Sequence, residues 1–107
     1  ASNGYYNEQQ IVPKTWIEDT LNGNEDVKTL FAASAYSGMI PDGHYRNQVW
    51  ADSNRGLLIC IGIHGQTIYV NKNTGVVVVK LSTHPKSADA RLFDDTFLAM
   101  WAVTNCV

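Results

Sequence analysis

Cysteine and proline are scarce, with two and three among 107 residues. Two thiols cannot build the disulfide framework on which small secreted domains depend. Cys60, inside an apolar run, and Cys106, near the end, are therefore expected as buried or terminal free thiols. No apolar run approaches the roughly 18 residues of a membrane span. The polar start Ala1-Ser2-Asn3-Gly4 has neither the basic end nor the apolar core of a signal peptide. A membrane partner is not expected, and the compartment stays unread. Positive charge is not in excess either: eight Lys and Arg stand against ten Asp and Glu, for a formal charge of -2. The basic residues, scattered from Lys14 to Arg91, form no stripe that would neutralise a phosphate backbone, so nucleic acid is not an expected partner. His44, His64 and His84 have no Cys or carboxylate at ligand spacing, so no metal and no cofactor is expected.

What is present is an ordinary globular composition, 45% hydrophobic with eight glycines. A chain of this length makes about one domain and buries roughly two thirds of its unfolded surface, so residues 1–107 are expected to form a single domain. Val12 precedes proline and is pushed out of the helical region, while Pro13 suits a first helical turn. Trp16, Ile17, Thr20 and Leu21 then share one helical face, and Asn22-Gly23 reads as a left-handed stop. Residues 24 to 44 hold another helical turn around Val27 to Phe31, followed by loop chemistry through Gly43.

Strands follow. Tyr45 to Ala51, Leu57 to Ile63, Gln66 to Val70 and Val76 to Leu81 are separated by turn clusters at Asp52-Ser53-Asn54-Arg55-Gly56 and Asn71-Lys72-Asn73-Thr74-Gly75. They predict an antiparallel meander of about four strands. Ser87 is placed to cap a last helix whose Phe93, Phe97, Met100, Trp101 and Thr104 share one face, with Asp89, Asp94 and Asp95 off it and Asp94-Asp95 on a solvated side. The fold class is α+β, a sheet with an N-terminal and a C-terminal helix. Four consecutive valines without alternation imply a last strand covered on both faces, yet in this meander it lies at an edge, where free backbone groups invite pairing. A further strand from elsewhere is expected beside Val76 to Leu81.

Four blocks carry a resemblance. Gly4-Tyr5-Tyr6-Asn7-Glu8-Gln9-Gln10-Ile11-Val12-Pro13-Lys14-Thr15-Trp16-Ile17, His44-Tyr45-Arg46-Asn47-Gln48-Val49-Trp50, Gly62-Ile63-His64-Gly65-Gln66 with Ile68-Tyr69-Val70-Asn71, and Val76-Val77-Val78-Val79-Lys80-Leu81-Ser82 occur in this order. Together they resemble the carboxyl-terminal part of the serine β-lactamase-like hydrolases, within them the class C-like branch that includes 6-aminohexanoate-dimer hydrolases and related esterases. The resemblance implies the carboxyl-terminal portion of the α/β lobe of that fold. It also implies that Cys60-Ile61-Gly62-Ile63 stands where penicillin-recognising members carry a Lys-Thr-Gly triad and the residue whose amide enters the oxyanion hole. The Ile63 amide is then the oxyanion donor and Gly62 admits the substrate to the backbone. Ile61, His64 and Trp50 are expected to border the substrate. Cys60 and Ile61 supply neither the lysine nor the hydroxyl that binds a β-lactam carboxylate, which favours an ester or amide substrate. Two readings stand for His64, one polarising a substrate and one hydrogen-bonded in a structural role.

The family's nucleophile belongs to a Ser-x-x-Lys motif. Third after Ser2, Ser34, Ser37, Ser53, Ser82 and Ser87 come Tyr5, Ser37, Ile40, Gly56, Pro85 and Ala90, so the motif is absent. Tyr-x-Asn, the family's other proton-handling motif, starts at Tyr5, Tyr45 and Tyr69, none of them in the upstream helical region that the family's catalytic tyrosine occupies. By the resemblance this is a partial domain lacking the catalytic helical region and inactive alone. Two functions compete: a lobe of a serine hydrolase whose partner is the missing N-terminal catalytic lobe, or a stand-alone binding module forming a homodimer through the Val76-to-Leu81 edge.

Overall fold

Leu57, Ile59 and Tyr69 are the deepest large apolar side chains of the sheet, each about 1% exposed. They sit on one face of two paired strands, β5 (Leu57–Ile61) and β6 (Thr67–Asn71), in which Ile59 lies opposite Tyr69. The computed structural model describes residues 1–106 and builds the rest outward from this pair. β3 (His44–Arg46) and β4 (Val49–Asp52) extend the sheet on one side and β7 (Val76–Lys80) on the other, all antiparallel in the order β3-β4-β5-β6-β7. A separate two-stranded hairpin, β1 (Tyr5–Tyr6) and β2 (Gln9–Gln10), precedes α1 (Lys14–Asn22). α2 (Glu25–Ala32) follows, and α3 (Ala90–Thr104) ends the fold.

The fold is α+β, as the sequence predicts, but with five strands in the main sheet rather than about four and with three helices. The extra strand arises because Tyr45 to Ala51 is not continuous. Asn47 (φ 54°) and Gln48 (φ 63°) both adopt left-handed geometry, a two-residue turn that folds β4 back onto β3. Neither is glycine, and side chains hold the bend in place. Asn47 donates to Thr20 Oγ1 (2.8 Å) and to Asp19 (3.1 Å), and Arg46 grips the same Asp19 carboxylate through two bonds of 2.7 and 2.9 Å. The hydrogen bond from Arg46 holds the Asp19 carboxyl below its ordinary pKa.

α1 is tied to the sheet by His44, which is fully buried and donates through Nε2 to the Thr20 carbonyl (2.8 Å), leaving Nδ1 without a partner. Gly23 ends α1 at φ 58°, ψ −152°, a region open essentially to glycine alone. A Cβ there would lie 2.7 Å from the His44 ring.

On the Ile59 face, Phe31 of α2, Ile40 of the following loop and Met100 of α3 close the core, with Trp50, Phe97, Val78 and Trp101 packed around it. α3 buries Phe93, Thr96, Met100 and Thr104; Phe97 and Trp101 of the predicted face are half-buried, Thr96 joins it, and Asp94 and Asp95 are exposed. Its N-cap is Asp89, not Ser87: the Asp89 carboxylate accepts from Leu92 N–H at 3.2 Å. The expectation that the valine strand is covered on both faces fails, since Val77 and Val79 are 47% and 62% exposed. Cys60 is exposed as well rather than buried, because it shares that open face of the sheet.

Gly23→Ala is expected to lower the unfolding free energy by about 3 kcal/mol in urea titrations, combining forced geometry with a clash. Gly75→Ala, also at positive φ but with open space around its Cβ, should lose only about 1 kcal/mol. Burial pushes the Tyr69 phenol up to about 12, with Arg55 pulling it down and Asp52 pushing it further up. A raised folded-state pKa means stability that is intact below the phenol's ordinary value near pH 10 and declines as pH rises toward the folded value. The urea midpoint should therefore fall above pH 10, and Tyr69→Phe should flatten that fall.

Candidate functional site

Where β5 runs out, the chain makes a short irregular loop before β6 begins. Gly62 is extended (φ −108°, ψ 169°), Ile63–Gly65 form one 3-10 turn, and His64 within it is left-handed at φ 56°, ψ 27°. Gly62 N–H donates to the Gln66 carbonyl (2.9 Å) and His64 N–H to the Ser87 carbonyl (2.9 Å). The Ile63 N–H between them has no partner among the backbone bonds of the loop, and Ile63 is 69% exposed. An amide without a partner in an exposed residue is a ready hydrogen-bond donor.

The two glycines answer to packing within the molecule. A Cβ on Gly65 would fall 2.4 Å from Nδ1 of His84, whose ring lies against it. A Cβ on Gly62 would lie 3.0 Å from that of Gln66, closer than two such carbons comfortably approach. The Gln66 amide continues the ladder past the last strand pair, accepting from Ser82 N–H (3.1 Å) and donating to the Ser82 carbonyl.

Ile61, Gly62 and Ile63 border a cleft of about 370 Å³ with Trp50 across from them. Four of the five residues singled out from the sequence thus meet at one place. His64 does not line it. Its Nδ1 donates to the His84 carbonyl (2.8 Å), which fixes the ring away from the cleft. Trp50 is held upright by edge contacts with Phe31 (5.9 Å between ring centres) and Tyr36 (5.2 Å) and by a tilted one with Tyr45 (4.9 Å).

Tyr36 and Met39, from the segment read only as loop, and Phe93, Ser87 and Asp89, around the start of α3, complete the walls. Of these, an aromatic residue inside a polar loop was the one legible hint. The walls are largely apolar. Asp89 is engaged as the helix cap, and among the described residues no base is hydrogen-bonded to the Ser87 hydroxyl, so the cleft holds a donor and a shape but no activated nucleophile. Cys60 cannot fill that role, since it lies on the opposite face of β5 and desolvation raises its thiol pKa. No three His, Cys, Asp or Glu side chains gather as a metal site among the described residues.

No family model matches the chain. Over 77 residues, 71% of its length, it is 34% identical to the 6-aminohexanoate-dimer hydrolase of Paenarthrobacter ureafaciens. The chain spans about a fifth of that protein, 19% of its length. The likeness is thus to a portion of a β-lactamase-like hydrolase.

Proposed function

We propose that this chain serves as the oxyanion-binding part of a serine hydrolase of the β-lactamase-like kind, acting on amide or ester bonds. The observation that carries the reading is the unpaired Ile63 N–H at the mouth of the apolar cleft. When a serine hydroxyl attacks the substrate carbonyl, the carbonyl oxygen becomes an anion in the tetrahedral intermediate, and a fixed N–H about 3 Å away stabilises that charge. Ile63 would be that donor, Trp50 and Ile61 would bracket the acyl group, and His64 would act behind the loop rather than on the substrate. The serine, with the lysine that activates it, would come from outside this chain, which has no Ser-x-x-Lys.

β7 supports the same reading. Among the described residues it has no strand on its outer side, and between it and α3 runs a groove of about 670 Å³ lined by Val78, Met100 and Val103. A strand contributed by the rest of such a hydrolase would pair with β7 and cover that groove. A second reading, a stand-alone self-associating module, draws on the same edge. Two β7 strands running antiparallel about Val78 would set valine against valine and each Lys80 opposite a Val76.

Two experiments separate these. If the matching stretch of the Paenarthrobacter hydrolase is replaced by this chain, the chimera should hydrolyse a p-nitrophenyl ester or the 6-aminohexanoate dimer. Ile63→Pro, which removes the N–H at a position where helical φ tolerates proline, should then lower kcat by about 10²–10³-fold, while Ile63→Ala should not. A chimera indifferent to Ile63→Pro would refute the assigned donor. Light scattering on the chain alone tests the other reading: 11.9 kDa is the monomer mass, and a dimer that Val77→Lys with Val79→Lys dissociates would favour self-association through β7.

A further inference from the structure

A second cavity, of about 200 Å³, lies between α3 and the core face of the sheet. We propose that it binds a small zwitterionic amino acid with an apolar side chain, whose carboxylate meets Arg55 and Tyr69 and whose ammonium meets Asp94. The inference goes beyond the hydrolase reading and does not depend on it. Met39 borders both this cavity and the Ile63 cleft, but the two share no polar residue.

The floor of the cavity is apolar apart from one group. Ile40, Leu57 and Ile59 are at most 1% exposed, and so is Tyr69, whose hydroxyl has no hydrogen-bond partner among the described residues. A buried hydroxyl without a partner costs free energy, so one that opens onto a cavity is a donor in want of an acceptor. Burial pushes this phenol up to about 12, with Asp52 adding to the rise and Arg55 opposing it. It therefore keeps its proton at neutral pH, and the influence of both charges puts the hydroxyl on the Arg55 side of the cavity.

Arg55 stands at the rim in a fixed pose. Its backbone N–H and its Nε–H donate to the two oxygens of the buried Asp52 carboxylate (3.0 and 2.7 Å), and its guanidinium carbon lies 5.3 Å from the centre of the Trp101 ring. The terminal NH2 groups have no partner among the described residues and remain free to grip a carboxylate. Asp94 shares the rim from α3, at helical spacing from Leu98 and Trp101, which also line the cavity. It is exposed and belongs to no ion pair among the described residues.

The charge count selects the ligand. One guanidinium faces two carboxylates, so a simple anion would meet net negative charge. A simple cation would leave the Arg55 and Tyr69 donors unmatched. A molecule with an acceptor at one end and a charged donor at the other satisfies Arg55, Tyr69 and Asp94 together, while Phe97, Trp101 and Ile40 supply an apolar wall. Size agrees, since a cavity of about 150 Å³ already holds a benzene ring.

The test is a titration of the whole chain at neutral pH with L-leucine, followed by NMR of the amide and indole N–H groups. Isocaproate, which lacks the ammonium, and isoamylamine, which lacks the carboxylate, are titrated beside it. Leucine should shift the Trp101 indole and the Tyr69 and Leu98 amides saturably, with a Kd of about 1 mM or below. The Trp50 indole, in the other cleft, should not move. Each half-molecule should bind at least about tenfold more weakly, the cost of a lost hydrogen bond to a charged group. Tyr69→Phe should weaken leucine about threefold to tenfold. Asp94→Lys, at an exposed position, should reverse the order so that isocaproate binds better than leucine, an inversion that mere damage to the fold would not produce.

No saturable shift up to about 20 mM leucine would overturn the proposal, as would isocaproate binding as well as leucine, or a response at Trp50 in place of Trp101. Should Tyr69→Phe fail to fold, Asp94→Lys decides, and an unchanged order of affinity would sink the site. Because the readout needs no turnover, its failure leaves the chimera result untouched, and the converse holds as well.

Discussion

The pairing of β5 with β6 is the constraint on which the rest of the molecule depends. Its register puts Ile59 opposite Tyr69 and thereby defines the one face against which α2, the loop around Ile40 and α3 can all pack. A slip of one residue would turn Ile59 and Tyr69 outward and bring Cys60 and Ile68 in. The same register fixes where β5 must stop and β6 must start, and so where the loop from Gly62 to Gln66 stands. The core and the candidate site are two consequences of one hairpin.

That coupling explains the chemistry of the loop. Five residues must turn the chain while every neighbouring backbone group finds a partner, since a buried, unpaired N–H costs about as much as a lost hydrogen bond. Gly62, His64 and Gln66 are all satisfied, by Gln66, Ser87 and Ile63. Ile63 and Gly65 have no such partner; Gly65 is buried, whereas Ile63 is exposed, where water can satisfy its N–H. An N–H in an exposed residue costs little in the resting molecule, and on the function proposed above it would be free to meet a developing charge.

Legibility in the sequence tracks the kind of signal. Turn clusters with glycine, at Gly56 and Gly75, marked their hairpins, and the helical face of α3 could be read from Phe93, Met100 and Thr104. The hairpin at Asn47-Gln48 could not, because its left-handed residues lack glycine and are held by Asp19 and Thr20, distant in sequence. Ser87 and Asp89 are both competent caps by residue type, and the helix takes Asp89, whose carboxylate accepts from Leu92 N–H. Trp50, Ile61, Gly62 and Ile63, singled out from the sequence, line one cleft, whereas Tyr36 and Met39 reach it by a loop path that no local pattern encodes. The sequence offers His84 only to be weighed as a metal ligand, and its contact with Lys80 across a bend has no local signal.

The open side of the sheet bears on function through the same logic. Ile68, Val77, Val79 and Leu81 are all exposed, on or beside the strand whose outer edge lacks a neighbour. A soluble module would ordinarily blunt such an edge with charge, proline or a bulge; here the nearest charge, Lys80, is turned inward to His84 and Thr96. The lysine that could guard the edge is instead committed to contacts with His84 and α3. An added strand on β7 would pair those free backbone groups and shield the flanking valines from water. Pairing at β7 is thus the condition under which this side of the sheet has no open edge, whether the added strand comes from a second copy of the chain or from another protein segment.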